Sequence, residues 1–210
     1  MVDKKWRSNQ TAEEFQAQLH ADPEWVRRKA ERDAYWKEVE ARYREEERVL
    51  LSELKAVGID APSIDVLVKR KEPYPQAIPI LLRHLRMPYS DNFREQIARC
   101  LAIPDAAYVR DELIAELFKE ERAPLRENKI KNVAQGLACA VAASTTEANI
   151  PSLVALVKDE SLGSNRILFL RRLRRSKRPE ASEVLRDLKD DPTFSKEINS
   201  WRGAAKKKVG

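Results

Sequence analysis

The segment Ile78-Pro79-Ile80-Leu81-Leu82 returns as Ile150-Pro151-Ser152-Leu153-Val154, displaced by 72 residues (78 to 150). The register continues without a gap: Leu85 falls on Val157, Arg94 on Arg166, Ala98 on Leu170, Arg99 on Arg171 and Leu101 on Leu173. A self-match of this length fits two units of about 36 residues each, with the intervening stretch supplying another pair of elements. Its second half, Leu137-Ala138-Cys139-Ala140-Val141, repeats the apolar character of Ile97-Ala98-Arg99-Cys100-Leu101. Units this short cannot bury an apolar face alone, so they must stack on one another. That requirement rules out most other ways of folding the chain.

The local pattern within each unit is helical. From Pro62 onward, apolar residues at helical spacing fall into segments of about 10–16 residues, separated by Pro, Asp, Ser and Gly. The helices expected are 63–70, 75–86, 91–102, 105–120, 128–143, 147–158, 165–176, 180–188 and 192–205. No segment alternates apolar and polar residues between turn signals, so no strand is expected and the fold class is all-α. Ile97, Leu101, Leu137, Val141, Leu153, Leu170 and Leu173 are the expected core.

On these residues the chain resembles HEAT repeats, in which a first helix ends near an Asp and a second begins near an Arg a few residues later. Asp159 and Arg166 approximate that pair, which the resemblance makes a structural contact between repeats; Asp190 and Lys196 approximate it again. Arg94 matches the basic position, but Met87 stands in place of the Asp, and Ala134 replaces the Arg of the middle unit. The chain also resembles short bacterial HEAT-like proteins with a charged N-terminal helix. The resemblance covers about 74–205 and implies a short right-handed α-solenoid of helical hairpins. It implies little about function, because such scaffolds carry many unrelated activities.

The N-terminal part reads differently. Residues 1–10 carry no periodicity and are expected to be disordered, and 206–210 form a basic tail. Thr11-Ala12-Glu13-Glu14 is a capping-box pattern opening a short helix, and Asp22-Pro23-Glu24 opens a second that meets no breaker before Gly58. Trp36, Tyr43, Leu50 and Val57 recur every seven residues along it, interrupted by Glu46 and Glu47. Segment 11–58 is therefore either a cap on the repeat array of 62–205 or an arm that pairs with a second chain.

Composition narrows the function classes. Apolar residues make up 42% and charged residues 35%, and no apolar run reaches the roughly 18 residues of a membrane span. The first residues lack a secretory pattern, and Cys100 and Cys139 sit singly in apolar helices, so a cytoplasmic protein with reduced, buried thiols is expected. His20 and His84, the two histidines, lie in no metal-ligand spacing and read as surface or packing residues. Without a phosphate loop, a nucleophile elbow or a Cys–His signature, no catalytic residue, metal or cofactor is expected. The run Glu45-Glu46-Glu47 reads as a solvated face, and Trp36 and Trp201 as rings that helices bury.

The net charge of +6 arises from 40 basic and 34 acidic residues, and the excess concentrates in 166–178. Projected at about 100° per residue, Arg166 falls with Phe169, Leu170 and Leu173, while Arg171, Arg175 and Arg178 lie opposite, with Arg172 at the edge. Asp111, Glu112, Glu116, Glu120 and Glu121 make an acidic counterpart. Arg171, Arg172, Arg175 and Arg178 are the partner-binding candidates, joined by Tyr74 and Tyr89 at loop positions. A non-enzymatic protein–protein interaction module (adaptor, scaffold or inhibitor) with a protein partner, an acidic one fitting the ridge, is the leading expectation. The alternative is a nucleic-acid-binding protein of the kind seen in DNA glycosylases built on HEAT-like helices.

Overall fold

A computed structural model describes residues 11–123 and 133–206; the N-terminal stretch 1–10, the start of the helix expected at 128 and most of the C-terminal tail lie outside them. Among the described residues the regular secondary structure is helical: eleven α-helices with 3₁₀ turns between some of them, and no strand. The chain divides into two compact units, 1–45 and 46–210. The division runs through a long helix, upstream of the breakers at Gly58 and Pro62.

The first unit contains α1 (Ala12–Ala21) and the beginning of α2 (Pro23–Ala56). Thr11 and Glu14 form a reciprocal capping box on α1. Asp22 caps α2 by accepting from the N–H groups of Glu24 and Trp25, and Pro23 takes the first helical position, where no N–H is needed. The caps set the ends of both helices, but none of the described residues 11–45 is buried. Trp36, expected to pack, is 44% exposed, as are Phe15, Val26 and Tyr35 to a similar extent.

The second unit opens with the last turns of α2, where Glu46, Leu50 and Leu54 are buried at four-residue spacing. The seven-residue seam is not what packs: Leu50 is buried, whereas Val57 is exposed. Gly58 ends the helix at φ 83°, with Ile59 N–H bonded to Leu54 C=O and Gly58 N–H to Lys55 C=O. This is a C-terminal motif that requires a left-handed residue, which glycine adopts without a Cβ clash.

Three helical hairpins follow the short helix α3 (Ile64–Val68). They are α4 (Ile78–Leu85) with α5 (Asp91–Cys100), α6 (Arg110–Arg122) with α7 (Val133–Ser144), and α8 (Ile150–Lys158) with α9 (Ile167–Arg175). Helix α10 (Pro179–Asp187) packs on α8 and α9, and α11 (Ser195–Lys206) follows it. Helix α7 packs against both α5 and α9 in addition to its partner α6. The seven residues expected in the core are all buried. The sequence of α7 explains its central position. Gly136 lies so close to α5 that an added Cβ would stand 2.9 Å from the Cβ of Ala98 and from the carbonyl oxygen of Glu95.

Charged side chains tie the hairpins together. Glu112, Glu116 and Glu120 lie on one row of α6. Arg86 pairs with Glu112 at 2.7 Å and Glu116 at 2.8 Å, and the buried Arg94 pairs with Glu120 while donating to the Leu85 carbonyl. Glu121 accepts from the Asn165 amide. The acidic cluster is thus mostly an internal fastening between successive hairpins rather than an outer face; Asp111, its side chain 99% exposed, is the member that points to solvent. The run at Glu46-Glu47 is likewise not a solvated face. Glu46 holds Ser90 at the start of α5, and Glu47 accepts from Ile64 N–H at the start of α3, where Ser63 makes no side-chain cap.

Candidate interaction surface

Helix α9 is amphipathic by construction. Phe169, Leu170 and Leu173 are buried, and Arg171 and Arg175, one turn apart, are exposed. Neither of these arginines has an ionic or hydrogen-bonding partner among the described residues. Helix α7, which packs against α9, exposes Gln135 and half-exposes Cys139 and Ala143, all at four-residue spacing. Cys139 stands close enough to Arg99 and Glu95 of α5 to feel both charges, yet burial outweighs Arg99 and holds its thiol above the ordinary range. This half-exposed thiol departs from the expected pair of buried cysteines; Cys100 is fully buried.

The other arginines of the basic cluster are engaged internally. Arg172 donates from Nε to the Thr145 carbonyl at 2.8 Å and pairs with Glu147 at 2.9 Å, leaving its side chain 18% exposed. Arg178 donates from Nε to the Glu147 carbonyl at 3.2 Å, and the Ser176 hydroxyl donates to the Glu147 carboxylate at 2.8 Å. The Ser176 and Arg172 bonds pull the Glu147 carboxyl below the usual range. Arg174 lies over the Trp201 ring at 4.7 Å. Trp201 is half-buried and donates from its indole nitrogen to Glu197. The expected exposed arc of four arginines therefore contracts to Arg171 and Arg175, with Arg178 exposed but committed to the 145–147 turn.

Four further candidates take other places. Tyr74 is 2% exposed and donates its hydroxyl to the Cys100 carbonyl at 2.8 Å, so it is a core residue and not an interface ring; desolvation pushes its phenol well above the ordinary value. Tyr89 is half-buried, stacked on His84 and edge-on to Phe93, with its hydroxyl 3.1 Å from His84 Nδ1. Asp159 and Arg166 do not meet in a direct pair. Asp159 accepts from the N–H and hydroxyl of Ser161, bonds that lower its carboxyl, while Arg166 donates to the Gly163 carbonyl and lies over the Phe194 ring at 5.1 Å. Gly163, at φ 51°, interrupts the helical turn between them.

Sequence reasoning passed over Arg110, which begins α6 and is 3% exposed. Its Nε donates to Thr145 Oγ1 at 3.1 Å and its Nη1 to Ser152 Oγ at 3.2 Å. Only its place in the fold distinguishes it from the chain's other arginines. Among the described residues no group of three His, Cys, Asp or Glu could hold a metal ion, and no helix is long and apolar enough to cross a membrane. The chain matches no protein-family model, no curated protein and no solved structure.

Proposed function

We propose that residues 62–205 form a short right-handed α-solenoid of HEAT-like hairpins that works as a non-enzymatic protein-binding module, with Arg171 and Arg175 contacting an acidic segment of the partner. The order of packing supports the solenoid: α5, α7 and α9, the second helices of successive hairpins, each pack on the next, and residues 78–101 and 150–173 place equivalent apolar positions in the core. The observation that carries the function is the contrast within α9. Every neighbouring arginine is engaged by a carboxylate, a carbonyl or a ring, whereas Arg171 and Arg175 stand exposed on one helix face without a partner among the described residues. Two guanidinium groups one helical turn apart match carboxylates presented at the same spacing, since Arg reads carboxylates with geometric specificity.

The test is isolation of the partner at moderate salt, followed by calorimetric titration with the wild type and with Arg171→Glu/Arg175→Glu. A partner that binds both proteins equally well removes this reading. Nucleic acid is the second reading, because Arg99 repeats at Arg171 and both lie on helices of the same stack. It is less well supported: the stripe is broken at Ala134 and Cys139, and Arg94 is buried in its pair with Glu120.

A further inference from the structure

An acidic row on α10 answers the basic pair on α9. Residues 171–178 hold six basic side chains and no acid, whereas 179–191 hold five acids against Arg186 and Lys189. Three of those acids, Glu180, Glu183 and Asp187, are exposed on α10, while Ala181 and Val184 turn into the core. At about 100° per residue the three carboxylates fall within about 60° of one another, and Arg186 and Lys189 project outside their row. None of the three has an ionic or hydrogen-bonding partner among the described residues. Helices α9 and α10 pack on each other, yet among the described residues no ion pair joins them. Two rows of opposite charge therefore lie on neighbouring helices, each directed at solvent rather than at the other.

The rows match in spacing as well as in sign. Arg171 and Arg175 stand four residues apart, as do Glu183 and Asp187. Four residues of helix advance about 6 Å, so two guanidinium groups on one helix can meet two carboxylates on another in register. Glu180 extends the acidic row by a further turn. Because α9 and α10 are neighbours, two copies related by a two-fold axis can set each α9 against the other's α10. Every contact is then made twice, which is the economy of an isologous interface.

We infer, on the reading of Arg171 and Arg175 as a contact for an acidic protein segment, that the segment is α10 of a second copy of this chain. Arg171 and Arg175 of one protomer pair with Glu183 and Asp187 of its partner, and the reverse pairs close the dimer. Exposed ion pairs are individually weak and screened by salt, so this dimer forms at low ionic strength and high chain concentration.

The test is sedimentation equilibrium of the full chain up to about 1 mM, where even a weak dimer is populated. It is run at about 0.01 M and about 1 M ionic strength, between which the screening length falls from about 30 Å to about 3 Å. The wild type should dimerise at the lower ionic strength and dissociate at the higher. Arg171→Glu/Arg175→Glu and, separately, Glu183→Arg/Asp187→Arg should each weaken self-association by more than about tenfold, because like charges then face each other. Mixing the two variants should restore a dimer, since the acidic α9 of one now meets the basic α10 of the other, and its basic α9 meets the native acids of the first. Circular dichroism of each variant confirms that the fold is kept. A wild type that stays monomeric, self-association that ignores both reversals, or species that grow past the dimer with concentration would each overturn the inference. A monomeric wild type that still binds a foreign acidic protein through Arg171 and Arg175 sinks the dimer alone and leaves the protein-binding reading standing. A monomeric wild type whose protein binding ignores Arg171→Glu/Arg175→Glu removes both.

Discussion

Glu46 accepts two hydrogen bonds from Ser90, one from its N–H at 2.9 Å and one from its hydroxyl at 2.6 Å. Ser90 in turn caps α5 by accepting from Phe93 N–H at 3.4 Å. A carboxylate near the end of a 34-residue helix thus organises the start of another helix 44 residues further on. Negative charge at a helix N-terminus also favours the dipole.

Replacing Glu46 with Ala should therefore destabilise the second unit. The Ser90 N–H would be deprived of its acceptor at a part-buried site, which costs about 1–3 kcal/mol. Chemical denaturation followed by circular dichroism would measure it. A midpoint unchanged from wild type would show that water replaces the carboxylate without cost.

Gly136→Ala sets two effects against each other. Alanine in a helix interior is favoured over glycine by up to about 1 kcal/mol, whereas forcing atoms into a tightly packed helix pair costs about 1–3 kcal/mol. The new Cβ would meet the Glu95 carbonyl, part of a helix backbone that cannot step aside as a flexible side chain can. Overpacking should win, and the melting temperature should fall. A rise would mean that α5 yields at Glu95 and Ala98 without cost.

His84 gives the stability a pH dependence. The ring is fully buried, with Nδ1 facing the Tyr89 hydroxyl and Nε2 3.2 Å from the Glu53 carboxylate, which also binds Arg83. Burial, and then the Arg83 charge, lower its pKa below the ordinary value. The folded protein therefore binds fewer protons here than the unfolded chain, and His84 costs stability as pH falls below about 6.5 toward the folded value. Melting temperatures should drop between about pH 7.5 and 5.5, and His84→Gln should flatten that part of the curve. An unchanged slope in the variant would assign the effect to another group.

The contrast between what could be read from sequence and what could not follows from the range of the interactions. Leu101, Leu137 and Leu173 were legible because helical periodicity alone decides which face is apolar. Asp22, Thr11 and Gly58 were legible because caps act within a few residues. Glu46, Arg94 and Arg110 were not, since their partners at Ser90, Glu120 and Ser152 lie between 26 and 44 residues away. A charge run looks the same on a sequence whether water or a distant serine satisfies it. The same limit misplaced Tyr74: a tyrosine in a loop pattern carries no mark that its hydroxyl will meet the Cys100 carbonyl.

The exposed pair on α9 yields the prediction that separates protein from nucleic acid as the partner. Arg171→Glu/Arg175→Glu removes no internal bond among the described residues, so stability should stay within about 0.5 kcal/mol of wild type. With folding held constant, binding differences report on the surface itself. For an acidic protein partner, affinity should fall sharply in the double variant, because each guanidinium would be replaced by a charge that repels the facing carboxylate. Retention of random-sequence DNA should then be weak in the wild type and little changed by the substitution. For a nucleic-acid partner, affinity should fall for every sequence tested, and the slope of log affinity against log salt should decrease by about one unit for each phosphate that the variant no longer neutralises. A double variant that binds both classes as the wild type does would leave Arg171 and Arg175 as a solvated helix face. The strip of Gln135, Cys139 and Ala143 on α7 would then be the surface to alter next.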